Sequence, residues 1–140
     1  MVCAGWSDFS DVCDAEHVKV VGAVNHAATF PACRAVVHHG GAGTTAAGLR
    51  AGVPTLILST WLGDQRLSGG IVKRLKVGTA RPLSSTSQDS LVADLRTILS
   101  PDYVERAREV GARMTPSAAS RAAAAGLLEK LASQKCVTDR

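Results

Sequence analysis

The sequence predicts an α/β fold, an open parallel sheet with flanking helices. Short apolar runs alternate with helix-like stretches along its 140 residues, and one of these runs, 55–58, is continuous rather than alternating. Strands that alternate with helices form parallel sheets. A continuous apolar run is typical of a strand that is buried on both faces of such a sheet. We predict strands at 18–21, 35–38, 55–58 and 77–80.

Capping residues and helix breakers predict where the helices begin and end. The Ala-rich stretch 44–51 ends at Gly52, a residue that favours the C-cap position, and Pro54 follows just beyond it. Thr86-x-x-Asp89 is a capping-box pattern, which predicts that a helix begins there. A short helix or turn is predicted at 26–33, and helices at 44–51, 65–76, 86–99, 101–110 and 116–132.

The composition fits one globular domain, which we place at 1–132, followed by a disordered tail at 133–140. Hydrophobic residues make up 46% of the chain, which is enough for a core, but aromatic residues make up only 4%. Platforms that stack bases need more aromatic side chains, so we expect no nucleic-acid partner. No uncharged run is long and apolar enough to form a transmembrane segment, and the N-terminus resembles no signal peptide. We therefore expect a cytoplasmic protein.

Neither the cysteines nor the histidines have the spacing of metal ligands. The four cysteines form no Cys-x-x-Cys pair, so a zinc ribbon has no support. His38 and His39 are neighbours in a predicted strand, where adjacent side chains point to opposite faces. We expect no metal site.

The most informative segment is 38–45, with the sequence His-His-Gly-Gly-Ala-Gly-Thr-Thr, which joins a predicted strand to a predicted helix. Its three glycines lack a β-carbon, so a bulky anion can approach the backbone closely. The helix that follows points its free N–H groups and its positive dipole end at such an anion. His39 adds an imidazole that can donate to a phosphate oxygen, and Thr44 and Thr45 add hydroxyl donors. A tight turn without a ligand is the alternative.

The same segment contains Gly41-x-Gly43-x-x-Ala46, which fits the dinucleotide-binding fingerprint in its Ala-ending form. That fingerprint needs an acidic residue about 20 positions on, at the end of the next strand. The run 55–58 is followed instead by Ser59 and Thr60. An NAD-type binding module therefore stays an alternative function, and so does an interaction domain without catalysis.

Three motifs together resemble the nucleotide-sugar signature of the GT-B glycosyltransferases of the UDP-glycosyltransferase superfamily. They are segment 38–45, Arg-Ala-Gly-Val-Pro at 50–54, and Gly-Asp-Gln at 63–65. The sequence is most similar to the bacterial enzymes that glycosylate macrolides, glycopeptides and lipids, and to the sterol glucosyltransferases. The resemblance runs from about Gly5-Trp6 to the last predicted helix, which is nearly the whole chain. It implies a Rossmann-like domain, the donor-binding C-terminal half of such an enzyme.

The resemblance implies that the glycine segment holds the diphosphate of a UDP- or TDP-hexose. His39 would contact the diphosphate, while Gly41, Ala42 and Gly43 would offer backbone amides and Thr44 a hydroxyl. The nucleotide sugar would be the substrate, and the family resemblance implies no further cofactor.

Residues for the donor sugar and the base follow from the same resemblance. Asp64 and Gln65 would bind hydroxyls of the sugar, since a carboxylate accepts from two hydroxyls and an amide both donates and accepts. Main-chain groups of Val24 would pair with the base, and Trp6 would contact the base or pack in the core.

Two positions beside the proposed sugar contacts depart from the family pattern. Arg66 stands where the family often has proline. Ser-Gly-Gly at 68–70 stands where an aromatic pair with a small residue is common. Both departures affect the identity of the sugar.

The family's acceptor-binding half has no counterpart in the sequence. That half supplies the catalytic base, so we identify no catalytic residue here. We also expect the first strand and helix of the donor domain to be missing. The resemblance implies a hexosyltransferase that passes a sugar to a hydroxyl of a lipid, sterol or secondary metabolite. We expect no transfer without an acceptor domain, which a separate chain could provide.

Overall fold

The computed structural model describes residues 1–4, 16–60 and 63–135. Two short strands, β1 (Val2–Cys3) and β2 (Val20–Val21), pair in parallel. A second sheet contains β3 (Val36–His38), β4 (Thr55–Ser59) and β5 (Gly78–Pro82), in that order and all parallel. The predicted α/β fold with parallel strands is confirmed. Strand β1 is an addition that the sequence pattern does not indicate.

Helices flank these strands close to the predicted positions. They are α1 (His26–Thr29), α2 (Ala42–Ala51), α3 (Gly63–Arg74), α4 (Gln88–Ile98), α5 (Pro101–Arg113) and α6 (Ser117–Lys135). Short 3-10 turns follow α1 at Phe30–Ala32 and β5 at Leu83–Ser85. Helix α6 extends beyond the predicted boundary at 132, and the predicted tail from 136 onward lies outside the described residues. No helix among the described residues is long and apolar enough to span a membrane.

Strand β4 lies at the centre of its sheet and of the core. Leu56 and Ile57 are both fully buried, as the continuous apolar run predicts. Ile57 belongs to a cluster of buried residues that includes Val72 of α3 and Ala107 of α5. Each aliphatic side chain of this size stabilises the fold by about 1.5–3 kcal/mol when it is fully buried. This packing holds α3 and α5 against the sheet.

The parallel register brings the carboxyl ends of three strands to one edge. His38 of β3 pairs with Ile57 of β4, and Ile57 pairs with Ala80 of β5. The glycine segment, Thr60 and the 3-10 turn after β5 all lie at this edge. Ligands of open α/β sheets bind beyond the carboxyl ends of the strands, so this edge is where a site is expected.

The capping box of α4 differs from the predicted one. Ser87 is the N-cap, its Oγ accepts from the backbone N–H of Ser90 at 3.2 Å, and Ser90 Oγ accepts in turn from Ser87 N–H. The predicted pair of Thr86 and Asp89 is therefore wrong. The Thr86 hydroxyl is used elsewhere, because it donates to the Pro82 carbonyl at 3.0 Å and closes the preceding turn.

Helix α5 crosses the end of α2 where two glycines meet. Gly52 is the left-handed C-cap of α2 with φ of 66°. A β-carbon on Gly111 would lie 2.8 Å from Gly52 Cα and 2.9 Å from Leu49 O. These neighbours are backbone atoms that cannot rotate away, so the crossing requires glycine at 111.

We expect Gly111→Ala to lower the free energy of unfolding by about 1–2 kcal/mol. Overpacking costs roughly 1–3 kcal/mol, and alanine recovers up to about 1 kcal/mol of helix propensity. Urea denaturation followed by circular dichroism measures the change.

Gly126→Ala in α6 is the matched control, because a β-carbon there meets no atom within 4 Å. This variant should be as stable as the wild type or slightly more stable. Equal effects of the two substitutions would contradict the close crossing.

Candidate functional site

The glycine segment turns sharply between β3 and α2. Gly40 has φ of 98°, a left-handed conformation that favours glycine. A β-carbon on Gly40 would come within 2.8 Å of Ile57 Cγ2 and 3.2 Å of Gln65 O. The turn therefore packs directly on the middle of β4 and on the first turn of α3. This contact fixes where α2 begins.

The N-terminus of α2 is suited to an anion. Gly41 is the N-cap residue, and the helix has no side-chain cap. Ala42 and Gly43 are exposed, and Thr44 is half-buried. A helix whose first amides lack a side-chain cap offers N–H groups and a positive dipole end to a ligand. The residues predicted to hold a diphosphate thus lie together at the carboxyl edge.

Thr45 is not one of the residues that offer a hydrogen-bond donor at this helix terminus. Its side chain is buried, and its hydroxyl donates to Gly41 O at 2.9 Å. The prediction that Thr45 offers a hydroxyl to an anion is therefore wrong. The bond stiffens the first turn of α2 instead.

His39 is exposed and lies over its own loop. Its Nε2 atom would be 2.7 Å from a β-carbon on Gly41, so the ring occupies the space that a side chain at 41 would take. The rings of His38 and His39 stand at 90° with their centroids 6.3 Å apart. The exposed ring of His39 is thus placed beside the N-terminus of α2.

His38 has a structural role that the sequence analysis did not assign. Its Nδ1 accepts a hydrogen bond from the backbone N–H of Gly40 at 3.0 Å. Burial, with smaller contributions from the nearby charges of His39 and His26, lowers the pKa of His38 to about 4. The ring is therefore neutral at pH 7 and can accept from Gly40. Its buried Nε2 has no hydrogen-bond partner among the described residues.

Asp64 and Gln65 lie in the first turn of α3, next to the glycine turn. Asp64 is exposed. Gln65 is only 4% exposed, and its Oε1 accepts from both the N–H and the hydroxyl of Thr60, at 2.7 and 2.9 Å. The amide group of Gln65 therefore holds Thr60, the residue after β4, and only its Nε2 remains to face a ligand. The two residues predicted for the sugar adjoin those predicted for the diphosphate.

A hollow of about 530 Å³ connects the start of α1 with the first turns of α2. Its wall includes Asn25, which is the N-cap of α1, and Gly43 and Ala47 of α2. Val24, predicted to pair with the base, is half-buried immediately before Asn25. Trp6, the other residue predicted for the base, lies outside the described residues.

The fold and the glycine loop define an α/β domain of the GT-B glycosyltransferase type. The glycosyltransferase VinC, solved in complex with DTDP, superposes with a TM-score of 0.64 and 31% identity over 69% of this chain and 25% of VinC. The chain belongs to the family described as erythromycin biosynthesis protein CIII-like, C-terminal domain, which matches residues 6–134. The resemblance to the UDP-glycosyltransferase superfamily is confirmed.

Curated relatives are longer than this chain. An uncharacterized glycosyltransferase of Mycobacterium tuberculosis is 60% identical over 133 residues, which is 94% of this chain and 32% of that protein. The vancomycin aglycone glucosyltransferase of Amycolatopsis orientalis is 39% identical over 119 residues, 85% of this chain and 29% of that protein. The chain spans about a third of the length of these relatives.

We expect the stability of the protein to fall between pH 6.5 and 4 because of His38. In the unfolded chain the imidazole takes up a proton near pH 6.5, but in the folded chain it does so only near 4. The unfolded state binds more protons in this window, so acid favours unfolding there. We expect a loss of the order of 1–2 kcal/mol, reduced from the full shift because the ring is partly exposed.

His38→Asn tests this expectation, since the asparagine Oδ1 can replace Nδ1 as acceptor but does not titrate. Urea denaturation at pH 7 and pH 4.5 should show a smaller loss for His38→Asn than for the wild type. His17→Asn, at an exposed position, should keep the wild-type loss. The same loss in all three proteins would rule out His38 as the cause.

Proposed function

We propose that the chain binds a nucleoside diphosphate sugar and forms the donor-binding half of a glycosyltransferase. The observation that carries this proposal is the N-terminus of α2, which has no side-chain cap and lies beside both His39 and the first turn of α3. Family membership and the superposition on VinC support it.

In this proposal the glycine segment binds the diphosphate. The amides of Gly41, Ala42 and Gly43, the hydroxyl of Thr44 and an N–H of His39 donate to its oxygens. During transfer the sugar leaves the diphosphate, and negative charge grows on the phosphate oxygen. Donors that are already in place stabilise that charge without reorganising, and the α2 dipole adds to the effect. The proposal includes no metal or further cofactor.

The sugar and the base extend from the diphosphate in opposite directions. Asp64 accepts hydrogen bonds from sugar hydroxyls, and Gln65 donates through Nε2 because its Oε1 is already bonded to Thr60. The base enters the hollow between α1 and α2 and pairs with the main chain of Val24, with Trp6 as a further contact. The DTDP bound to VinC supports a TDP sugar, and UDP sugars share its pyrimidine and diphosphate.

The proposed transfer also needs an acceptor. Among its relatives, the A. orientalis protein is named for transfer of glucose to the vancomycin aglycone. We propose a hydroxyl of a lipid, sterol or secondary metabolite as the acceptor of a hexosyl group. The base that deprotonates this hydroxyl would come from an acceptor domain, on the same or a separate chain. The 140 residues alone would bind donor without transferring its sugar.

UDP or TDP should bind the chain, and His39→Ala should weaken binding about tenfold or more. A hydrogen bond from an imidazole to a charged phosphate contributes about 1.5–3 kcal/mol. Isothermal titration calorimetry measures both affinities. His17→Ala, which removes an exposed imidazole, should leave the affinity unchanged. Binding of NAD without binding of UDP or TDP would favour the dinucleotide alternative instead.

Asp64→Ala should weaken binding of UDP-glucose or TDP-glucose but not of UDP or TDP, because only the sugar reaches the carboxylate. Titration of the variant with both kinds of ligand separates the two effects. Asp102→Ala is the matched control, since Asp102 has the same place in the first turn of α5. An equal loss for ligands with and without sugar would contradict the assignment of Asp64.

A further inference from the structure

A second hollow lies at the carboxyl edge of the sheet, on the β5 side of α3. Its volume is about 470 Å³, within the range of about 300–1,000 Å³ that small-molecule sites occupy. Among the residues that the structure describes, its wall includes Ser59, Thr60, Arg66, Pro82, Leu83 and Ser84. It therefore opens beside the end of β4, on the opposite side from the glycine segment.

The wall is mainly apolar with one charged side chain. Pro82 and Leu83 form its apolar part, and Leu83 remains 52% exposed. The hydroxyls of Ser59 and Thr60 donate to Arg81 O at 3.3 Å and to Gln65 Oε1 at 2.9 Å, respectively. Their protons are therefore already used. Arg66 is the strongest hydrogen-bond donor left to a ligand among the lining residues described.

Among the arginines of the described residues only Arg81 and Arg106 have a counter-charge, so Arg66 is one of several whose charge is not paired. Arg81 pairs with Asp94, and Arg106 with Glu109. Arg66 also follows Asp64 by two positions on α3, and residues so spaced on a helix do not face each other. It is thus directed away from the group that Asp64 would bind. A guanidinium group binds a carboxylate through two parallel hydrogen bonds.

The geometry points to a binding site in this hollow for an acceptor with an apolar body and a carboxylate. The carboxylate pairs with Arg66, and the apolar body packs on Pro82 and Leu83. That this ligand is the acceptor rests on the proposed function, which puts the donor sugar at Asp64, two positions before Arg66 on α3.

Binding of 6-hydroxy-2-naphthoate and of its methyl ester tests this site. The two probes share an apolar ring system and a hydroxyl, and they differ in the negative charge. The wild-type chain should bind the carboxylate about tenfold or more tightly than the ester, as measured by naphthalene fluorescence. Arg66→Ala should reduce this preference to less than about twofold, and Arg66→Lys should keep part of it.

Arg74→Ala is the matched control, because Arg74 is an exposed arginine in the last turn of the same helix. It should keep the wild-type preference. That result would exclude a general attraction of the carboxylate to the net positive charge of the chain. Far-UV circular dichroism of Arg66→Ala verifies that the variant is folded, and Arg66→Gln provides a second variant that keeps a long side chain. Equal affinity for the two probes in the wild type, or a preference that survives in both Arg66→Ala and Arg66→Gln, would overturn the site.

Titration of the same wild-type protein with UDP separates this inference from the proposed function. If UDP binds and the carboxylate preference is absent, the donor site stands and the second site is refuted. If the preference depends on Arg66 but neither UDP nor TDP binds, the carboxylate site stands and its assignment to an acceptor is refuted.

Discussion

The contact of the Gly40 turn with β4 and α3 holds the rest of the candidate site in place. The turn has a left-handed conformation, and its α-carbon faces Ile57 in the core and the backbone of Gln65. A side chain at position 40 would come within 2.8 Å of Ile57 Cγ2. The turn, the central strand and the start of α3 therefore pack as one unit. Because α2 begins directly after this turn, the same contact determines where its first amides point.

Hydrogen bonds of buried polar groups reinforce that unit. The neutral ring of His38 accepts from Gly40 N–H, and the amide of Gln65 accepts twice from Thr60. Buried polar groups need partners because their desolvation is costly. The side chains of His38 and Gln65 thus stabilise the structure at the edge of the site. His39 and Asp64 beside them remain exposed, and a ligand can reach them.

Thr60 and the first turn of α3 divide the carboxyl edge into two regions with different chemistry. On the β3 side, backbone amides and a helix dipole attract an anion without any formal charge on the segment 40–45. On the β5 side, a single arginine stands above the apolar surface of Pro82 and Leu83. The proposed diphosphate fits the first region because it accepts many hydrogen bonds at once. The proposed carboxylate on an apolar body fits the second.

The sequence by itself determined the α/β class, the continuous strand at 55–58 and the place of the glycine loop between strand and helix, since these depend on local periodicity and on glycine chemistry. Only the tertiary structure decided how individual polar groups are used. Strand β1 has two residues and no readable period, so its pairing with β2 depends on hydrogen bonds to a distant segment. Ser87 rather than Thr86 caps α4, and the Thr45 hydroxyl bonds to the Gly41 carbonyl. In each case two hydroxyl side chains are neighbours in the sequence, and only their positions in the folded chain decide which partner each hydroxyl reaches. The hollow at Arg66 likewise exists only because the parallel register brings the ends of β4 and β5 together.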